Sequence, residues 1–290
     1  MANTITEKAM LAKLNISQWA ASKHDKAITE EVAKQHGSDP SMGRYSKRLI
    51  AKTALDDIRG IAIQARHHHY ENTLPWLDDG ARILPAGNYF DYMAAQRDLQ
   101  HKFETAVVDF VSVYPQLVEH AKASLNGLFV PADYPTPSDI GSKFAFDVSM
   151  TPMPDADDFR VNLGDAEQSR IRADIESRVN GAVEGAMSDL WTRIHDAVSK
   201  MAERLRAYEV DPDGKVISTF RDSLVTNMRD LCEMLPKLNF ASSNSLEKMR
   251  SRLAAELCEF DAPVLRSDAA KREEIAAKAE AILAEVSDFI

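Results

Sequence analysis

The chain reads as predominantly α with a small antiparallel β element, and three observations carry that reading. Two very long helical patterns, about Asn88–Leu125 and Asp165–Tyr208, flank a short segment whose apolar residues alternate. Aromatics make up 7% of the 290 residues and glycines number 11, where sheet-rich folds use more of both. The helical stripes recur at steps of three or four, which marks one apolar face on each helix.

Leu14 and Ile16 alternate with polar neighbours within Leu11–Lys23, which favours a strand over a helix starting near Ser17. Asp25 is placed to cap a helix from Lys26 to about Gln35, stopped by His36 and Gly37. Ser38–Ser46 is rich in turn formers and reads as a loop. A helix is expected from about Lys47 to His69, burying Ile50, Ala54, Ile58, Ile61 and Ala65. Glu71–Gly87 reads as irregular yet too apolar for a solvated linker, so it should pack across the base of the helices.

The first long helix carries Leu99, Phe103, Ala106, Phe110, Tyr114, Leu117, Ala121 and Leu125 on its stripe, with Pro115 inside it as a kink point. The second carries Ile171, Ile175, Val179, Val183, Ala186, Leu190, Ile194, Ala197, Met201, Leu205 and Tyr208. Several positions repeat at a spacing of eleven, a period of about 3.67 residues per turn that favours nearly straight packing. The pair is therefore expected as an elongated antiparallel arm, roughly 55–65 Å long at the α-helical rise. Gly181 and Gly185, one turn apart, either admit a closely approaching partner helix or simply weaken the helix by about 1 kcal/mol each.

Between the helices, Phe144–Met150 and Phe159–Leu163 both alternate, so residues 143–164 are expected to form a β-hairpin insert. A lone hairpin is marginal in water, and Leu11–Lys23 is the expected third strand. After the turn at Asp211–Gly214 come three shorter helical patterns, about Val216–Leu235, Ser245–Glu259 and Asp268–Val286. The segments divide as 1–87 forming part of a helical base, 88–210 forming the arm, and 211–290 forming the C-terminal helices.

Net charge is −10, but residues 1–70 carry +4 and the remainder −14. Acidic balance weakens any reading as a broad duplex-DNA binder, because that affinity comes mostly from neutralised phosphates. No run of about 18 apolar residues is present, so no membrane span is expected. Met1–Asn15 lacks the continuous apolar core of a signal peptide. Cys232 and Cys258 make a poor secretory signature, so both are expected as free thiols in the cytoplasm.

No pattern of comparable strength speaks for catalysis, metal or cofactor, and none is assigned. His67, His68 and His69 point about 100° apart on a helix and cannot chelate one ion from it; a polar helix end is expected. Asp78–Asp79 and Asp155, Asp157 and Asp158 read as turn carboxylates rather than a Mg²⁺ site. Trp19, Trp76 and Trp191 read as core anchors. Arg44, Tyr45, Lys47 and Arg48 are the candidate anion or nucleic-acid contact, since basic side chains and an aromatic cluster at an expected helix start. Their loop has a single Gly43 and lacks the Gly-Lys-Ser/Thr of a phosphate loop.

Leu14-Asn15-Ile16-Ser17-Gln18-Trp19, His69-Tyr70-Glu71-Asn72-Thr73-Leu74-Pro75-Trp76, Phe159-Arg160-Val161 and Phe220-Arg221-Asp222-Ser223-Leu224 carry a resemblance. From about Leu11 to Leu238 the chain resembles an uncharacterised family of tailed-bacteriophage, prophage and mobile-element proteins. That family supplies no catalytic residues. Its members tend to be encoded near a MoxR-like AAA+ ATPase and a von Willebrand A-domain protein, which implies a role beside an ATP-driven remodelling machine. The resulting expectation is a non-enzymatic, cytoplasmic, self-associating interaction protein, an adaptor or assembly partner of an AAA+ ATPase. The alternative is a nucleic-acid accessory protein in phage replication or recombination.

Overall fold

The computed structural model describes residues 5–159, 161, 163–213 and 215–290. Helix accounts for 66% of the chain and strand for 12%, so the predominantly α class with a small antiparallel sheet holds. The strands are β1 (Ala9–Ser17), β2 (Ser22–His24), β3 (Ser46–Arg48), β4 (Leu74–Pro75), β5 (Arg82–Pro85), β6 (Ala145–Pro152), β7 (Glu209–Val210) and β8 (Val216–Ser218). The α-helices are α1 (Lys26–His36), α2 (Asp56–Asn72), α3 (Tyr89–Leu125), α4 (Asp165–Arg206), α5 (Ser223–Leu238), α6 (Asn244–Leu257), α7 (Ala262–Ser267) and α8 (Ala269–Val286). The largest sheet has the order β4-β5-β1-β6, with β1 antiparallel to β5.

Contacts divide the chain into two units assembled from interleaved segments rather than from successive ones. One comprises the chain up to Lys13, Tyr70–Tyr92 and Ser149–Ile290; the other comprises Leu14–His69 and Met93–Val148.

In the larger unit, Val179, Val183, Ala186, Leu190, Ile194, Val198, Met201 and Leu205 of α4 are all buried. Their main cover is α8, whose Ile275, Ala276, Ala279, Ile282 and Val286 face the same core. α5 contributes Leu224, Val225, Met228, Leu235 and Leu238, and α6 contributes Leu246, Met249, Leu253 and Leu257. Each fully buried aliphatic side chain of this kind contributes about 1.5–3 kcal/mol relative to exposure. Arg193, on the flank of α4, bonds Asp189 and donates to the carbonyls of Tyr70, Glu71 and Thr73 at 3.1, 2.9 and 2.7 Å. Two of those carbonyls belong to the last turn of α2, the part of a helix whose carbonyls commonly accept from side chains.

In the smaller unit, Asp25 caps α1 by accepting a bond from the Ile28 amide at 3.2 Å. Gly37 ends the helix with φ of 64°, a left-handed conformation in which glycine pays no Cβ penalty. Ile58, Ala62 and Ala65 of α2 share a core with Phe103, Phe110 and Tyr114 of α3 and with Phe144 and Phe146. Phe110 meets Phe144 at 5.5 Å between ring centroids and Phe103 meets Phe146 at 5.7 Å. Burial pushes the Tyr114 phenol up to about 12, and its hydroxyl donates to the Pro135 carbonyl at 3.0 Å.

Several expectations are corrected. The two long helices exist, and their stripes are buried in different cores: Phe103 and Phe110 belong to one and Val179–Leu205 to the other. Periodicity reveals that a helix face is buried, not what covers it. Of the expected second hairpin strand, the described residues Phe159, Val161 and Leu163 are not in a strand. β6 lies beside β1, while Phe159 closes a 3-10 turn at Ala156–Asp158, and Val161 and Leu163 are exposed just before α4. Arg160 and Asn162 of that expected strand lie outside the described residues. The strand expected near Leu14 and Ile16 does form, as β1. Phe144, Phe146 and Val148 face one core as alternation requires.

Lys47 begins no helix; it sits in β3, paired with β2, and α2 starts at Asp56. Glu71–Gly87 is not irregular throughout, since β4 and β5 form there and bury Leu74, Ile83 and Leu84. Val216 lies in β8, seven residues before α5 begins at Ser223. Asp211 organises the preceding turn, its carboxylate accepting from the Asp213 and Lys215 amides. Gly214 of that turn lies outside the described residues.

Candidate functional site

The basic stretch after the Ser38–Ser46 loop splits in two. Arg44 and Arg48 are exposed and Tyr45 is partly so, but Lys47 points inward and is 4% exposed. Its ammonium lies 3.1 Å from Asp25 and 3.0 Å from Asp133 and donates to the Leu128 carbonyl at 2.8 Å. Burial works against the charge, but hydrogen bonds to Asp133 and Asp25 outweigh it and hold Lys47 above the ordinary lysine range. An ammonium has three donors, and three acceptors already surround this one. Lys47 is therefore a fold element rather than an anion contact, and the candidate site reduces to Arg44, Tyr45 and Arg48.

His67, His68 and His69 fall in the last turns of α2 as a helix end. His67 is exposed, His68 is half-buried and His69 is buried. Burial, with the neighbouring His67 charge, lowers the pKa of His68. Among the described residues, no three His, Cys, Asp or Glu side chains converge as metal ligands. Asp155 and Asp79 serve as turn residues, accepting from the Asp157 and Ala81 amides respectively. Both cysteines are free thiols.

The feature with chemical character lies elsewhere, in the larger unit. A cleft of about 640 Å³ opens between the C-terminal half of α4, the segment leading into α5, and the first two turns of α5. Phe220, Leu224 and Met228 form an apolar floor and are buried; Lys200, Arg204 and Arg221 line the rim and are exposed. None of these three cations makes an ion pair among the described residues. Asp196, at the other end of the row on α4, lies 3.3 Å from His195. On a chain of net charge −10, three unneutralised cations around one cleft are a concentrated positive field.

The floor is held in place from behind. Arg266 of α7 donates to the Phe220 carbonyl at 3.0 Å and to the Asp222 carboxylate at 2.6 Å. The Phe220 ring packs edge-on against Tyr208 at 5.6 Å, and the Arg272 guanidinium covers Tyr208 at 4.3 Å. These contacts brace the segment that carries Phe220 and Arg221.

The cleft leaves one partial signal in the sequence. Lys200 and Arg204 are like charges one turn apart on a helix, an arrangement that costs stability unless something else uses it. What the sequence does not reveal is that Arg221, after the β7–β8 turn, joins them. Comparison with protein-family models, curated proteins and solved structures finds no match.

Proposed function

We propose that this protein is a non-enzymatic interaction module, working as an adaptor or assembly partner beside an AAA+ ATPase in a phage or mobile element. The observation that carries the binding part of this reading is the cleft between α4 and α5. An apolar-lined cleft whose rim carries three cations unpaired among the described residues suits recognition of a partner. The ATPase and the von Willebrand A-domain protein come from the family resemblance, and they are the partners to test. Among the described residues no helix is long and apolar enough to cross a membrane; a cytoplasmic setting is part of the proposal. Self-association belongs to the same proposal.

Isothermal titration and pull-down against the co-encoded ATPase, without nucleotide and with ADP or a non-hydrolysable ATP analogue, test it. Binding in at least one nucleotide state is expected; absence of binding in all of them sinks the adaptor reading. The nucleic-acid alternative rests on exposed Arg44 and Arg48. A mobility-shift series over ionic strength separates the two, since no shift even at low salt removes that alternative.

A further inference from the structure

We infer that the α4–α5 cleft binds an acidic, amphipathic peptide segment of a protein partner. The inference rests on the interaction reading above and names the chemistry of what that site takes. Charge complementarity selects the occupant. Lys200 and Arg204 stand one turn apart on α4, a separation of about 6 Å along the helix axis. Carboxylates at alternate positions of an extended segment repeat at about 6.6 Å, so they match that pair without strain. Arg221 supplies a third cation across the cleft. Ala197 and the edges of Phe220, Leu224 and Met228, themselves little exposed, give the cleft an apolar lining for the segment's intervening side chains.

Two other occupants fit less well. A free phosphate would want several backbone amides, but those of Leu224, Val225 and Thr226 near the start of α5 are already spent. Leu224 donates to the Arg221 carbonyl at 3.0 Å, and Val225 and Thr226 donate to the Asp222 carbonyl at 3.1 and 3.2 Å. A phosphate also leaves the apolar floor unused. A nucleic-acid backbone would find only three cations with Asp196 beside them, too few for an affinity that grows with each neutralised phosphate. Asp196 further sets a direction: the acidic part of the segment lies toward Arg204, with a neutral or basic residue at the Asp196 end.

The test is selection of a random-peptide library on the immobilised full chain, followed by fluorescence anisotropy of the enriched peptides. Expected are sequences alternating acidic with apolar residues, whose affinity falls as salt rises. The K200E/R204E variant changes only exposed side chains, and an unchanged thermal melt will show that it is folded. It is expected to weaken those peptides by about tenfold or more, as loss of charge complementarity does. Peptides with lysine in place of the acidic residues should regain binding to the variant.

Enrichment of non-acidic peptides, no enrichment, or equal affinity for K200E/R204E overturns the inference. Displacement by inorganic phosphate as complete as by unlabelled peptide reassigns the cleft to a small anion. The assembly reading fails separately. Capture of the ATPase by K200E/R204E at full yield leaves that reading standing and removes the cleft, whereas acidic-peptide binding without any ATPase capture does the reverse.

Discussion

The ammonium of Lys47 lies 3.0 Å from the carboxylate of Asp133, eighty-six positions away in the chain. Asp25, the N-cap of α1, holds the same ammonium from the other side at 3.1 Å. One buried cation thus ties the α1 entry, β3 and the loop after α3 together. Removing it leaves Asp133 to Lys23 at 3.6 Å and Asp25 to the Ile28 amide at 3.2 Å, and breaking a largely buried pair from one side costs more than the pair itself contributes. Lys47→Met should destabilise by about 3 kcal/mol, read as a shift in the urea midpoint. A loss under about 0.5 kcal/mol would mean that water replaces the ammonium freely.

The same cluster fixes a pH dependence. The Ile28 amide and Lys47 hold Asp25 below the ordinary carboxylate value of 3.8. A depressed carboxylate contributes stability that is full above its unfolded pKa and is lost as pH falls through the folded one. Lys47, raised above 10.5, contributes stability that is present below its unfolded pKa and lost as pH rises through the folded value. Stability from this cluster should therefore hold from about pH 5 to pH 9 and fall at both ends. Urea midpoints across pH for wild type and Lys47→Met measure it; the variant should lose the alkaline limb.

Arg193 makes a second long-range tie, and its planar fork matters as much as its charge. It meets Asp189 and three carbonyls around the end of α2. Arg193→Ala removes these bonds together and should cost about 2 kcal/mol. Arg193→Lys should recover less than half, because an ammonium cannot fork to several acceptors in one plane. Full recovery by lysine in chemical denaturation would show that charge alone carries the contact.

The two thiols should react unequally. Cys232 on α5 is buried, and its neighbour Cys258 together with burial pushes it well above the ordinary thiol range. Cys258 is less buried, and the hydrogen bond with Cys232, helped by Arg229, holds it below that range. Iodoacetamide under native conditions should label Cys258 first, because the thiolate is the nucleophile. Peptide mapping that finds Cys232 labelled first would reverse the assignment.

How much of this was legible beforehand depends on whether the signal was local. The 37 residues of α3 and the 42 of α4 announced themselves by period, and the Asp25 and Gly37 caps by residue type. Pairings across the chain did not. β1 finding β5 and β6, α4 finding α8, and Lys47 finding Asp133 are choices among surfaces that look alike in one dimension. The cleft belongs with them: Lys200 and Arg204 were visible as a like-charged pair, but Arg221 joins them only through the turn that folds α5 back beside α4.

Gly181 and Gly185 bear on the one interaction the sequence suggested for α4 itself. A Cβ built at either position meets nothing within 4 Å, and both residues are exposed. Within the chain, then, neither glycine serves a close approach, and each simply adds backbone freedom that folding must remove. Gly185→Ala and Gly181→Ala should each stabilise the protein by about 0.5–1 kcal/mol, read from thermal or chemical melts. If that exposed face is instead a seam between copies of the chain, the added methyls will hold two helices apart. Sedimentation velocity on the double variant would then show the assembly weakened while the melt of the separated chain still rises. A fall in stability of the chain itself would mean that another segment packs against the glycines, and the exposed-face reading would be lost.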